Sequence, residues 1–377
     1  MRIAVVSPFP LIPQRHGGRA RTIGLARGLA RAGAEVTALC PWHPRQPRKA
    51  QLEERLVLCT HRLVANVLPA VLPRTLASPL ALLSLQPQTA SSRRLVHSLG
   101  HFDVVQFEFC AQVRWLEMLG PGTKTVYSSH NVERDFFAAD AARYRLRHWS
   151  LRRLESLERL AVRECDLVVT CSEQDASRLA ELYGQPARTA VVRNGFDRSV
   201  VEFDRTSVRE EARRALGFAP HERVLLFLGG ESWHNLEAVD FLANELLPQL
   251  DANTRLLVVG PSGRRLPPTN GRVVATGFVS DLRPHLAAAD VALNPTSLPT
   301  GSSVKVAYYL GAGLPVLTTP SGARGFADRP GIRVASRDVF ADALREPSPE
   351  RARTNALGDL TWEALGRLLL AEYERLA

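Results

Sequence analysis

Short runs rich in Val, Ile and Leu alternate along this chain with longer stretches of helical pattern, and the alternation starts afresh near Glu222. In the first half the runs cover residues 2–7, 35–40, 103–108, 124–128, 166–171 and 189–193. In the second half they cover 224–228, 255–259, 273–276, 291–294, 315–318 and 332–335. Strands that are apolar throughout must be covered on both faces, and the helices between them supply the cover. The pattern therefore predicts an α/β chain with two doubly wound, Rossmann-like parallel sheets. A length of 377 residues likewise fits two cores better than one. The charged stretch 198–214 separates the halves, giving a first domain over 1–197 and a second over 198–360. Residues 361–377 read as a last helix, with Leu365, Leu368, Leu369 and Tyr373 at helical spacing. Two such sheets turn the carboxyl ends of their strands toward a cleft, where ligands bind.

The segment 290–326, DVALNPTSLPTGSSVKVAYYLGAGLPVLTTPSGARGF, carries the strongest chemical signal. It reads as a buried strand, a loop, a short helix opened by Gly301, Ser302 and Ser303, and a Gly-Leu-Pro turn into another strand. A helix that begins on small residues offers free backbone N–H groups to an anion. Lys305, one turn inside, can reach the same anion. A phosphate or diphosphate site in the second half follows.

Other strand ends are less decisive. PFPLIPQRHGGRAR, residues 8–21, places Gly17 and Gly18 after the first strand; it is either a tight turn or a close backbone approach to a ligand, and it is not G-x-G-x-x-G. VYSSHNVERDFF, residues 126–137, puts His130 at a strand end, as a structural hydrogen-bonder or a cleft residue, with Asn131 and Glu133 as turn and helix-start residues. VRNGFD, 192–197, is a turn closing the first domain. LFLGGESWHNL, 226–236, places Gly229 and Gly230 after a strand, and ATGFVSDL, 275–282, offers Gly277, Phe278 and Val279 as backbone for the edge of a flat base. His43–Ala50 forms a Pro- and Arg-rich loop, and 70–90 reads as irregular.

The net charge is +10, carried almost wholly by Arg, since Lys occurs only at 49, 124 and 305. Such a balance favours anionic partners. Residues 143–163 form an Arg-rich helix with Leu151, Leu154, Leu157 and Ala161 on one stripe; a solvated face and an anionic membrane surface both suit it. No nucleic-acid-binding motif accompanies it, so nucleic acid is not expected as a partner. The five cysteines, Cys40, Cys59, Cys110, Cys165 and Cys171, form no C-x-x-C pair and read as reduced core thiols. No metal cluster is visible, and neither a metal nor another cofactor is expected. The opening MRIAVVSPFP lacks the pattern of a signal peptide, and no run is long enough to span a bilayer, so the expected location is the cytoplasm, with peripheral contact at the inner membrane face left open.

Taken in order, the Gly-Gly loop, DVVQFEF, SSHNVE, CDLVVTCSEQD, VVRNGFD, FLGG, VVGPSG, TGFVSDL and GSSVKVAYYLGAGLPVLTT resemble a glycosyltransferase of family 4, with two Rossmann-like domains in the GT-B arrangement. The resemblance covers nearly the whole chain. It implies an acceptor site in the first domain, a nucleotide-diphosphate sugar in the second, and a last helix that crosses back to the first domain. It assigns the diphosphate to Gly301, Ser302, Ser303 and Lys305, and the base to Gly277, Phe278, Val279 and Leu282. It also implies that Gly17 and Gly18 approach the donor phosphates, that His130 meets the transferred sugar, and that Gly229 and Gly230 line the cleft. Glu108 is an acceptor-side candidate. The implied reaction is hexosyl transfer with retention of configuration.

Two departures stand out. Such enzymes carry two Glu residues eight positions apart around the phosphate helix, the second holding the donor ribose; here those positions are Thr300 and Tyr308. The segment GGESWHN also lacks the Arg or Lys that many relatives turn toward the diphosphate. A silent nucleotide-sugar-binding partner of another transferase and a nucleotide-sugar epimerase are the alternatives. The acceptor cannot be named from these residues.

Overall fold

The computed structural model describes residues 1–12, 16–42, 47–61, 72–73, 75–85, 94, 97, 101–266, 271–298, 300–350 and 354–376. The first sheet holds β1 (Arg2–Val6), β2 (Glu35–Pro41), β3 (Lys49–Glu53), β4 (Leu56–His61), β5 (Val104–Glu108), β6 (Lys124–Ser128), β7 (Leu167–Thr170) and β8 (Thr189–Val191), in the order β3-β4-β2-β1-β5-β6-β7-β8. The second holds β9 (Arg223–Leu228), β10 (Thr254–Val259), β11 (Val273–Gly277), β12 (Val291–Asn294), β13 (Val316–Thr318) and β14 (Ile332–Val334), in the order β11-β10-β9-β12-β13-β14. All neighbours pair in parallel except β3 and β4.

Side chains on successive residues of a strand point to opposite faces, and both faces are buried here. On β1, Ile3 and Val5 pack into one layer with Leu25, Leu29 and Leu369, while Ala4 and Val6 pack into the other with Phe107 and Trp115. On β9, Val224 and Leu226 join Leu286 and Tyr309, while Leu225 and Phe227 join Leu242 and Phe340. This double burial is why the inner strands read as continuous apolar runs; β8, β11 and β14 have no buried residue and are marked only by their short Val- and Ile-containing runs.

The strand order reverses between β1 and β5 in the first sheet and between β9 and β12 in the second. Loops on the two sides of such a point diverge and leave a crevice at the carboxyl edge. The two crevices meet in the cleft described below.

Six helices matter for the site: α1 (Gly17–Arg31), α2 (Arg147–Glu164), α3 (Glu173–Tyr183), α4 (Trp233–Asp240), α5 (Val304–Gly311) and α6 (Trp362–Glu374). Helix α6 follows the second sheet in sequence but lies against α1, with Trp362, Leu365, Leu369 and Tyr373 in the first sheet's core. Glycine makes the crossing close: a Cβ on Gly28 would lie 2.0 Å from the Trp362 carbonyl oxygen, and one on Gly366 would lie 2.0 Å from the Gly28 carbonyl carbon. Leu368 departs from the expected stripe and is 45% exposed, because the buried face runs through Leu365, Leu369 and Tyr373 at steps of four.

Two strands were not expected. Of the loop expected at 43–50, residues 43–46 lie outside the described residues, while Lys49 and Ala50 open β3. The β3 sequence KAQLE mixes polar and apolar residues because this antiparallel edge strand has no buried residue, so no apolar run marked it. Of the stretch 70–90, expected to be irregular, residues 72–73 and 75–85 are described, and within it Pro79–Leu83 form a short helix with Pro at its first turn. All five cysteines are free, and only Cys59 is not fully buried. Among the described residues, no helix is long and apolar enough to cross a membrane.

Candidate active site

A cleft of about 1560 Å³ runs between the carboxyl edges of the two sheets. Gly17, Gly18, His130, Gly229, Gly230, Phe278, Val279, Leu282, Gly301, Ser302, Ser303, Lys305 and Tyr308 all line it. Glu108 and Gly277, expected beside them, do not. Gly277 is instead a turning point: it has a φ of +69°, its carbonyl accepts the Gly260 amide at 2.7 Å, and Phe278 beyond it is 50% exposed.

On the side of the second sheet, α5 starts at the cleft with Ser303 as its N-cap residue. The first amides of a helix have no acceptor within it and are open to an anion. Gly301 does not contribute as expected, since its amide donates to the Asp175 carboxylate at 3.1 Å. Its role is conformational: its φ is +77°, and a Cβ there would lie 2.2 Å from Asn131 Oδ1. Gly229 is similarly internal, with its amide on the Val259 carbonyl and its own carbonyl accepting from Ser262.

Lys305 points from α5 to the same place. Its Nζ donates to Asn235 Oδ1 at 2.8 Å and sits 4.0 Å from the centre of the Phe227 ring. No carboxylate pairs with it among the described residues, and burial lowers its pKa to about 7. Beside it, burial and then the Lys305 charge push His234 down to about 3; its Nδ1 is buried without a partner, and Nε2 lies 3.0 Å from Ser232 Oγ. Neither Asn235 nor His234 is among the sequence-expected site residues; the only local signal in their segment is its glycine pair. Tyr308, for which the resemblance implies a ribose contact, hydrogen-bonds instead to the Trp362 side chain and the Asp197 backbone, and burial raises its pKa.

On the other side, His130 follows β6 and stacks on Phe109, with ring centres 4.0 Å apart. Phe109 has a φ of +63°, which turns its ring out over the histidine while Glu108, one residue earlier, stays fully buried beneath it. His130 Nε2 is hydrogen-bonded to Glu108 Oε2. Glu108 also accepts from Gln106 Nε2 and from Thr22 Oγ1, the latter at 3.1 Å, and Gln106 accepts the Tyr373 hydroxyl of α6. Burial would raise the Glu108 pKa, but the His130 ring and the Arg21 charge outweigh it and hold the carboxyl below its usual range. Burial lowers the His130 pKa more than Glu108 raises it. A neutral ring facing a carboxylate must donate through Nε2, which leaves Nδ1 as an acceptor. That atom lies toward Gly18, where a Cβ would come within 3.5 Å of it. Glu133, at the start of its short helix, also lines the cleft; burial, then the Glu158 charge, pushes it up to about 8, so it holds a proton at neutral pH.

Facing α/β sheets whose switch points share one cleft, with an anion-ready helix start on one wall, make the arrangement of the GT-B glycosyltransferases. The family described as Glycosyltransferase Family 4 matches residues 16–200, and the one described as Glycosyl transferases group 1 matches residues 222–346. A D-inositol 3-phosphate glycosyltransferase of Geodermatophilus obscurus is 31% identical over 313 residues, covering 74% of this chain and 67% of that protein. One from Actinosynnema mirum is 28% identical over 327 residues, covering 74% and 73%. Among solved structures, a sucrose-phosphate synthase from Thermosynechococcus elongatus aligns with a TM-score of 0.77 at 16% identity, covering 100% of this chain and 99% of that one. The Anabaena HepE protein in complex with UDP and glucose aligns with a TM-score of 0.62 at 17% identity, covering 100% and 97%. These structural likenesses establish the fold. The chain belongs to glycosyltransferase family 4 and is a transferase of glycosyl groups.

Proposed function

We propose that the protein transfers a hexosyl group, with retention of configuration, from a nucleoside diphosphate sugar to an acceptor bound by its first half. The observation that carries this reading is Lys305: an ammonium at the start of a cleft-facing helix, with a neutral amide and an aromatic ring as neighbours and no carboxylate. A half-buried cation in a cleft with no carboxylate beside it among the described residues favours an anion as its partner. The leaving diphosphate gains charge as the glycosidic bond breaks. Fixed amides and one ammonium stabilise that charge more than they stabilise the bound donor.

In this reading residues 1–197 hold the acceptor, 198–360 hold the donor, and 361–377 tie the second part back to the first. Phe278 and Val279 flank the base, and Leu282 closes that wall. His130 Nδ1 accepts from a hydroxyl of the transferred sugar, held in that tautomer by Glu108. Glu108 is thus a positioning residue and not an acceptor-side group. The relatives named for D-inositol 3-phosphate and the HepE complex with UDP support a polar acceptor and a uridine donor as the first pair to try. The Arg-rich face of α2 is where contact with an anionic inner membrane surface belongs in this scheme.

The test incubates the protein with UDP-, GDP-, ADP- and dTDP-sugars and measures free nucleoside diphosphate. Slow release without acceptor, accelerated by a true acceptor, is the expected result. Binding without turnover favours the silent partner, and interconverted sugars favour the epimerase; both contradict the proposal.

A further inference from the structure

The loop that opens α5 is gripped from the other half of the molecule. Asp175, in the first turn of α3, is 1% exposed. Its Oδ1 accepts Thr300 Oγ1 at 2.9 Å, the Gly301 amide at 3.1 Å and Arg324 Nη2 at 2.6 Å. Its Oδ2 accepts Ser172 Oγ at 2.7 Å, and Ser172 Oγ accepts the Asp175 amide at 3.2 Å, so the carboxylate itself is held still. Arg324 completes the grip: its Nε donates to the Gly301 carbonyl at 3.2 Å, and its carbonyl accepts Ser302 Oγ at 2.8 Å. Two further groups of the first half join in. The Val132 amide donates to Thr300 Oγ1 at 2.6 Å, and Asn194 Nδ2 donates to the Ser302 carbonyl at 2.9 Å.

A buried carboxylate is tolerated only when donors compensate its charge. Three of the donors to Asp175 lie beyond β12, in the second half of the chain, and two of them are on the loop itself. Docking of the loop therefore adds two of the four side-chain and backbone donors that compensate the carboxylate, beside Ser172 Oγ and Arg324. The same docking sets Gly301 against the His130 carbonyl and Asn131, since a Cβ at Gly301 would meet those groups at 3.1 and 2.2 Å. The amides that follow Gly301 and the ring of His130 thus acquire a fixed mutual position.

We infer that Asp175 is a positioning residue for transfer, clasping the phosphate loop to the first half so that the diphosphate holder and His130 act on one bound sugar. This inference rests on the reading of 301–305 as the diphosphate holder. It also gives Thr300 a task. At a position where relatives carry a glutamate, this chain has a hydroxyl that accepts from Val132 and donates to Asp175.

The test uses the full chain as wild type, Asp175→Ala, Thr300→Val and the double variant. Calorimetry with UDP, GDP, ADP and dTDP gives affinity, release of nucleoside diphosphate from the matching glucose donors gives kcat and KM, and thermal melts report folding. Misplacing the loop by about 1 Å lowers kcat by on the order of 10²-fold in Asp175→Ala, with a smaller loss of affinity. Thr300→Val falls in the same direction by about tenfold, and the double variant is no worse than Asp175→Ala alone, because both act on one clasp. Thr300→Val leaves the Asp175–Arg324 pair in place and carries the test if Asp175→Ala does not fold. Melting points that drop while kcat and KM stay within about twofold of wild type would mark the contact as structural only and overturn the inference. A wild-type chain that binds none of the four diphosphates overturns the donor-site reading and this inference together; binding by wild type with unchanged variants overturns this inference alone.

Discussion

Lys305 Nζ and Asn235 Oδ1 lie 2.8 Å apart, and this neutral amide is the nearest thing to a counter-charge that the ammonium has among the described residues. With burial lowering its pKa to about 7, Lys305 is half-deprotonated near neutral pH in the free chain. A bound diphosphate reverses the balance by favouring the charged form. Nucleoside diphosphate affinity is therefore highest below about pH 7 and falls as pH rises through it, by at most about tenfold per unit, because binding must then be accompanied by proton uptake. Calorimetry of UDP binding at pH 8 in two buffers of different ionisation enthalpy reads that proton directly. Equal heats in the two buffers contradict the assignment.

Glu108 fixes which nitrogen of His130 faces the cleft. In Glu108→Gln the amide can donate to Nε2, moving the ring proton to Nδ1 and turning an acceptor into a donor. A loss of turnover of up to about 10⁴ is expected, the size seen when an orienting carboxylate becomes an amide, with UDP affinity little changed. Nitrogen-15 NMR of the histidine tautomer together with steady-state kinetics checks this. An unchanged tautomer with full activity refutes it.

Two glycines in the cleft predict opposite outcomes. Gly301→Ala forces an L side chain into φ +77° and against Asn131 Oδ1 at 2.2 Å. The backbone alone costs about 1–2 kcal/mol, and the loop must move to relieve the contact, so both melting temperature and UDP affinity fall. Gly17→Ala meets only the Val304 side chain, at 3.4 Å and beyond, an ordinary contact, and leaves the melting temperature nearly unchanged. Similar behaviour of the two variants in melts contradicts the assigned roles.

Tyr308 stands where the resemblance implies a ribose contact, yet its hydroxyl is hydrogen-bonded to the Trp362 side chain and the Asp197 backbone. Tyr308→Phe should thus change UDP affinity by less than about threefold, below the effect of one typical hydrogen bond to a ligand. A tenfold loss by calorimetry places the hydroxyl on the ribose.

What was legible in the sequence follows from what burial does to composition. Strands covered on both faces carry unbroken apolar runs, so β1 and β9 announced themselves; β3, exposed at the sheet edge, did not. Gly301, Ser302, Ser303 and Lys305 were visible because small residues before a helix form a local pattern. Their partners were not. Asn235 reaches Lys305 across 70 positions and Asp175 reaches Gly301 across 126, and no local spacing encodes such pairs. Glu108 lies at a strand end as expected, but the acceptor-side role expected of it does not follow from its position, because the turn at Phe109 that sends the ring outward and leaves the carboxylate underneath has no sequence signature.

The central claim is that Lys305 and the start of α5 hold the diphosphate of an activated sugar. Its most direct test compares UDP binding and UDP-glucose hydrolysis by wild type and Lys305→Met, a swap that keeps much of the side-chain volume and removes the charge. Micromolar to millimolar UDP binding by the wild type is expected, weakened in the variant, with turnover lower by on the order of 10². Equal binding and equal turnover in the two proteins, with both folded, would contradict the account.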